Sequence, residues 1–212
     1  MESFEELLQQ AELVHGHMCA GQILGVRMAL LACNRLGVED PRGADRKKLV
    51  SFIEIDRCAT DAISLVTGCR LGKRALKFRD WGKMAATFVN LATGRAVRIV
   101  ALENSRELAQ QRYPHIESKG QQQMMTYREL SDDELFRVQW VTVDLPAREM
   151  PGYKGQRVTC DECGEGINFD RFVELPAEAG SGVEGNPRKL CRSCADPGLR
   201  YWQPVDAENK LQ

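Results

Sequence analysis

The sequence predicts an α+β protein, with an N-terminal domain of helices packed on a mostly antiparallel sheet and a small cysteine-rich domain at the C-terminal end. Three observations carry this. Helical, strand-like and again helical stretches follow one another in blocks, which disfavours a doubly wound parallel sheet. Ser3-x-x-Glu6 and Ser131-Asp132-Asp133-Glu134 are capping boxes, each opening a helix in the larger part. Two Cys-x-x-Cys pairs, Cys160/Cys163 and Cys191/Cys194, end the chain with 27 residues between them.

The first helix starts at the Ser3 box and turns Phe4, Leu7, Leu8, Ala11 and Leu13 toward the core. It runs into His15-Gly16-His17-Met18-Cys19-Ala20-Gly21. A second, largely buried helix carries Ile23, Leu24, Val26, Met28, Leu30 and Leu31 and stops at Gly37. Cys33 in this apolar stretch reads as core, and Gly21 and Gly25, four apart on one face, suit close packing. Residues 48–55 read as a strand and 58–67 as a helix ending at Gly68. Three more strands are expected over 75–80, 85–91 and 95–102, the last two joined at Thr93-Gly94. Asn104 and Glu107 can cap a helix to Arg112, and the Ser131 box precedes a short helix and a strand over 137–143. Pro146, Pro151 and Gly152 mark a linker, dividing the chain into domains 1–150 and 151–212.

In the tail each Cys-x-x-Cys places two thiolates on one tight knuckle, and two knuckles complete the tetrahedral Cys₄ shell of a structural Zn²⁺. Gly164 and Gly166 stand where the knuckle needs residues tolerant of positive φ. The gap between the pairs is long for a zinc ribbon but contains a loop over 178–187. A closed Cys₄ site has no open position, so this zinc folds a zinc-ribbon-like tail and does no chemistry. Tyr201-Trp202 reads as cover for the knuckle, with an exposed docking anchor as the alternative.

Charge bounds the partners. Lys+Arg of 29 against Asp+Glu of 30 leaves a net charge of −1, and residues 151–212 carry 8 basic and 10 acidic side chains. A near-neutral zinc module lacks the cationic excess that tracks a phosphate backbone, so no nucleic-acid partner is expected. No apolar run approaches the roughly 20 residues that span a bilayer, so no membrane association is expected either. Eight cysteines behind an N-terminus without signal-peptide features point to the reducing cytoplasm, where thiols bind metals rather than pair.

A second constellation lies outside the tail. His15, His17 and Cys19 alternate, and the flanking Gly16 and Gly21 permit an extended path that puts soft ligands on one side. Further on, Cys58 and Asp61 sit three apart at a helix start, on one face. The positive helix end biases Cys58 toward thiolate. Cys69 follows at Gly68-Cys69-Arg70. Together these make a candidate transition-metal or substrate site of His17, Cys19 and Cys58, with His15, Asp61 and Cys69 nearby; the alternative is buried free thiols and a helix-capping imidazole. Cys/His ligation suits Zn, Ni, Co or Fe alike.

At these residues the chain resembles the FmdE family of formylmethanofuran dehydrogenase subunits. His15-Gly16-His17-Met18-Cys19-Ala20-Gly21 is similar to its HGHxCxG opening. Asp56-Arg57-Cys58-Ala59-Thr60-Asp61-Ala62-Ile63, Thr67-Gly68-Cys69, Leu71-Gly72-Lys73 and Asp80-Trp81-Gly82-Lys83 follow in the family's order. The tail resembles the Cys₄ finger of many members. Three departures stand out: Ala20 for the usual proline, Arg70 for a small hydroxyl residue, and Arg74-Ala75 for the Gly-Asn of the commoner GKGNL run. The resemblance implies an α+β domain that forms a homodimer, a cleft holding the histidine and cysteine cluster, and association with the other subunits of a molybdenum- or tungsten-dependent oxidoreductase complex.

Three functions fit the residues. One is a metal-binding accessory protein of such a formyl- or formate-oxidising system. Another is a stand-alone enzyme in which a Cys58 thiolate, aided by His17, Asp61 or a metal, attacks a small carbonyl or one-carbon substrate, with Lys73, Lys83 and Arg70 as cofactor-binding cations. Lysines in Gly-Lys pairs also serve simply as turn residues on a solvated face. The last is a regulatory module docking a protein through its finger.

Overall fold

A computed structural model of the chain describes residues 2–176 and 187–203. The chain forms two compact units, Met1–Leu145 and Pro146–Gln212.

In the first unit the Ser3 box forms: Ser3 Oγ accepts from the Glu6 N–H, and Glu6 Oε2 accepts from the Ser3 N–H. It opens α1 (Phe4–His15), which buries Leu7, Leu8 and Ala11. Leu13, expected in the core, is 82% exposed. It stands two residues beyond Ala11, about 200° round the helix, and so faces away. Helix α2 (Ala20–Leu36) is buried along nearly its whole length and ends at left-handed Gly37, with Cys33 fully buried in the core. Burial pushes the Cys33 thiol up to about 12, so it is an inert core group.

Strand β1 (Leu49–Ile53), α3 (Cys58–Thr67) and β2 (Leu76–Phe78) form a crossover, and β2 therefore pairs parallel to β1. The remaining pairings, among β1, β3 (Ala85–Asn90), β4 (Ala96–Ala101) and β5 (Phe136–Val141), are antiparallel, in the order β2-β1-β3-β4-β5. The mostly antiparallel α+β expectation holds, each strand being shorter than expected.

Between β4 and β5 come α4 (Asn104–Arg112), α5 (Lys119–Glu129) and α6 (Asp132–Leu135). Asn104 does not cap α4; the helix begins on right-handed Glu103 with no side-chain cap. Helix α5 is not foreseen from the residues, because its buried stripe includes Gln122 and Thr126 and so shows little hydrophobic periodicity. From α2, Arg27 donates to the carbonyls of Tyr127 and Leu130 and pairs with Asp132 at 2.7 Å, tying these helices together.

Alternation along the strands gives the sheet two faces. Leu49, Ile53, Ala86, Phe88, Val97 and Ile99 face the helices in one core. Phe52, Thr87, Arg98 and Gln139, aligned across β1, β3, β4 and β5, occupy the opposite face.

The second unit is built from two short hairpins, β6 (Val158–Thr159) with β7 (Gly166–Ile167) and β8 (Val173–Leu175) with β9 (Arg188–Leu190), followed by α7 (Arg192–Ala195). Of the loop expected over 178–187, all but Pro187 lies outside the described residues. Among the described residues no helix is long and apolar enough to cross a membrane.

Candidate functional site

The N-terminal site is made by the way α1 stops. Gly16 takes the left-handed conformation (φ 88°) and its N–H returns to the Glu12 carbonyl at 2.8 Å. That turn folds His17 back beside His15, their ring centroids 4.8 Å apart. Cys19 then stands extended as the residue before α2 and gives that helix no side-chain cap, so its thiol is available for something else. One ligand atom each from His15, His17 and Cys19 lies within 4.8 Å of the others, with His17 exposed and the other two half-buried.

Helix α3 supplies the surroundings. Asp61 Oδ2 is 2.9 Å from His15 Nδ1. A carboxylate there holds the proton on Nδ1 and leaves Nε2 as the lone-pair donor. His15 Nε2 is buried and has no hydrogen-bond partner. This carboxylate–imidazole pair with its second nitrogen free is the usual arrangement behind a metal-bound histidine.

Cys58, the first residue of α3, stands outside the three-ligand group but beside Cys19. The expected thiolate bias is not found. Burial raises the Cys58 pKa, the neighbouring Cys19 thiol raises it further, and both outweigh the backbone at the helix start. Cys69 is not brought into the group. It is buried beyond the other end of α3, its thiol 3.5 Å from the Leu49 carbonyl, and burial raises its pKa.

Small residues allow this closeness. A Cβ on Gly21 would lie 3.0 Å from the Cys58 Cβ and 3.7 Å from the Cys19 sulfur. A Cβ on Gly25 would lie 2.7 Å from the Ala62 Cβ and 2.9 Å from the Ala59 Cα. Gln22, fully buried, donates from Nε2 to the Cys58 carbonyl at 2.6 Å. Sequence reasoning missed Gln22; its signal is a lone amide inside an apolar helical run. A cavity of about 100 Å³ abuts Ala20 and Gly21 and reaches Ser105 and Tyr127.

The candidate cofactor-binding cations do not gather at these ligands. Arg70 precedes and Lys73 ends an exposed 3₁₀ turn, Leu71–Lys73, where the Lys73 charge acts on Cys69. Lys83 rests over the Trp81 ring, 5.6 Å from its centroid. Arg74 holds φ 57° at the end of that turn, the left-handed position that the commoner glycine of the GKGNL run would occupy without strain. Ala75 beside it is buried, its carbonyl taking the Ser51 N–H at 2.8 Å.

In the second unit the four cysteines converge: one sulfur each from Cys160, Cys163, Cys191 and Cys194 lies within 4.8 Å of the others, and Cys163 and Cys191 are 3.9 Å apart. Tetrahedral zinc–thiolate bonds require sulfurs ~3.8 Å apart. The first knuckle closes with Gly164 at φ 74°, whereas Gly166 is extended in β7, so only Gly164 needs the freedom expected of both. A Cβ on Gly166 would instead meet the Arg157 guanidinium at 2.8 Å. Burial opposes ionisation of Cys160, but N–H groups of Cys163, Cys191 and Glu162 prevail and hold its thiol at about 6. The Cys191 N–H reaches the Cys160 sulfur at 3.2 Å. Tyr201 does not cover the knuckle: it is 96% exposed, and Trp202 packs under Arg200 instead.

Three comparisons place these features. Residues 14–137, which include the whole His/Cys site, match the family model described as FmdE, molybdenum formylmethanofuran dehydrogenase operon. A protein of Archaeoglobus fulgidus described as a probable S-adenosyl-L-methionine-binding protein is 31% identical over 181 residues, 75% of this chain and 48% of the relative. The chain thus spans about half the length of that curated relative. The crystal structure of a tungsten formylmethanofuran dehydrogenase FmdE-like protein from Syntrophus aciditrophicus matches with a TM-score of 0.61 at 22% identity, covering 94% of this chain and 95% of that one, and so shares the fold. With its family match running through the histidine turn, the Cys58 helix and the sheet, the chain belongs to the FmdE family.

Proposed function

We propose that this chain is a metal-binding accessory protein of a molybdenum- or tungsten-dependent formyl or formate oxidoreductase system, cytoplasmic and homodimeric. Its domain 1–150 holds a transition metal on His15, His17 and Cys19. Its domain 151–212 holds a structural Zn²⁺ on Cys160, Cys163, Cys191 and Cys194.

The observation that carries this reading is His15: Nδ1 is engaged by Asp61 and Nε2 is buried without a partner, beside His17 and Cys19. A buried acceptor left unpaired costs about 1–3 kcal/mol. A metal ion is the partner that this imidazole and thiolate set accepts. Three protein ligands leave one position open on a four-coordinate ion. Cys58 stands close enough to Cys19 to take that position or to yield it to a small ligand. The open position and the neighbouring cavity of about 100 Å³ also support a second reading, a stand-alone enzyme on a one-carbon or small carbonyl substrate, with Cys58, His17 and Asp61 as its reacting set. A bound ion would supply Lewis acidity there.

Elemental analysis of the purified full chain is expected to find two metal equivalents, and one equivalent would overturn the N-terminal site. His17→Ala should lower the count to one with little change in thermal midpoint, since the ring is exposed. Cys58→Ala discriminates further. Loss of the second equivalent at an unchanged midpoint makes it a ligand. Unchanged metal with a stability loss of about 1–2 kcal/mol makes it packing only.

Asp61→Ala removes no ligand but frees the His15 ring. It should weaken binding of the N-terminal metal by roughly ten- to a hundredfold, read by competition with a chromophoric chelator. Unchanged affinity would show that Asp61 does not orient His15.

A further inference from the structure

The Asp80-Trp81-Gly82-Lys83 stretch, whose role the metal site leaves unexplained, folds against the face of the sheet opposite the helices. The N–H groups of Trp81 and Lys83 both donate to the Glu54 carbonyl, at 3.2 and 3.1 Å, and Gly82 between them is left-handed. Through Trp81 the turn forms one wall of a groove of about 320 Å³. Its floor is an ion pair: Glu54, 2% exposed, accepts from Arg98 Nε and Nη2, both at 2.6 Å. Thr87 and Phe52 also line it, the end of β5 and residues 142–144, with the Asp144 carboxylate, close the far side, and Arg79 lies over the Phe52 ring at 5.3 Å.

Two features of the wall point to a ligand. Trp81 is 60% exposed although it lines a concave site, leaving ring surface free for stacking. Lys83 is held over that ring and, among the described residues, makes no ion pair with a carboxylate. Arg98 neutralises Glu54, and the other two charged lining residues, Arg79 and Asp144, are one of each sign, so the lining carries no net charge and Lys83, beside Trp81, adds the cation that sets the sign of what enters.

We propose that this groove binds a planar heteroaromatic anion, its ring stacked on Trp81 and its anionic group at Lys83. Stacking on the exposed tryptophan ring surface and an adjacent lysine cation form the pair of contacts that such a molecule satisfies at once. A nucleotide phosphate and a heteroaromatic carboxylate share this chemistry. The groove lies across the sheet from His15, His17 and Cys19, so it stands or falls independently of the metal site.

The test uses the full chain carrying Trp140→Phe and Trp202→Phe, which leaves Trp81 as its sole tryptophan. Adenosine 5′-monophosphate and nicotinate are titrated as the two anionic probes, with adenosine and inorganic phosphate as the ring-only and anion-only controls. Saturable quenching by one or both anions, with both controls at least tenfold weaker, is expected; which anion quenches identifies the source. In the parent chain, calorimetry should lose that binding in Trp81→Leu and weaken it at least tenfold in Lys83→Met. Both side chains are exposed, so the thermal midpoints should stay near the parent value. Absence of saturable binding by either anion, adenosine binding as tightly as its phosphate, or affinity unchanged in both variants would overturn the proposal.

Discussion

Cys160→Ser and Cys191→Ser are each expected to release the tail's metal and to open the chain beyond Pro151 to proteases. Among the described residues the second unit has little other source of stability: its buried core consists of Cys160, Ile167, Leu190 and Cys194. A core that small does not hold a fold without a staple. Metal binding in such a module is its folding free energy, about 10–16 kcal/mol in zinc-finger peptides. In the first variant a shorter, uncharged hydroxyl also replaces the sulfur that accepts the Cys191 N–H, so the contact between the knuckles weakens as well. The unit over Met1–Leu145 has its own extended core and should keep its thermal transition. Metal content, limited proteolysis and calorimetry on the same samples check this; full zinc retention with an intact tail would refute the Cys₄ assignment.

Gly25→Ala should destabilise the first unit. The added methyl would meet the Ala59 carbonyl and come within 2.9 Å of the Ala59 Cα, and both are backbone atoms that no rotamer change can move. Helices α2 and α3 would have to separate. Overpacking of this kind costs about 1–3 kcal/mol, and here the upper end applies because no flexible side chain can yield. Separation would also carry Cys58 and Asp61 away from Cys19 and His15, so the second metal equivalent should fall together with the midpoint. Gly16→Ala provides the contrast: nothing lies within 4 Å of its added methyl, and its cost is left-handed strain of about 1–2 kcal/mol. A Gly25→Ala chain of parental stability would contradict the close packing of these helices.

Features set by neighbours in the chain were legible before the structure. The Ser3 and Ser131 boxes, the left-handed stops at Gly37 and Gly68, and the Cys-x-x-Cys knuckles follow from hydrogen bonds spanning only a few residues. So did the pairing of β3 with β4 through a short turn. Hydrophobic periodicity failed where the inner stripe was polar, as along α5, and at Leu13, where an apolar residue faces away from the core.

What the chain's order could not decide was which distant groups meet. His15 and Asp61 are 46 residues apart, and their 2.9 Å contact exists because the end of α1 lies beside α3. The same packing separates Cys69 from Cys58, although both belong to one motif run, because they stand at opposite ends of a helix of 10 residues. It also overturns the expected thiolate bias of Cys58, since burial and a neighbouring thiol raise its pKa more than the helix end lowers it. By itself, then, the sequence determined the ligand types, the local turns that present them and the fold class. The tertiary structure alone decided which candidate ligands lie together and which way the Cys58 and Cys69 pKa values move, because both depend on burial and through-space contact between segments far apart in the chain.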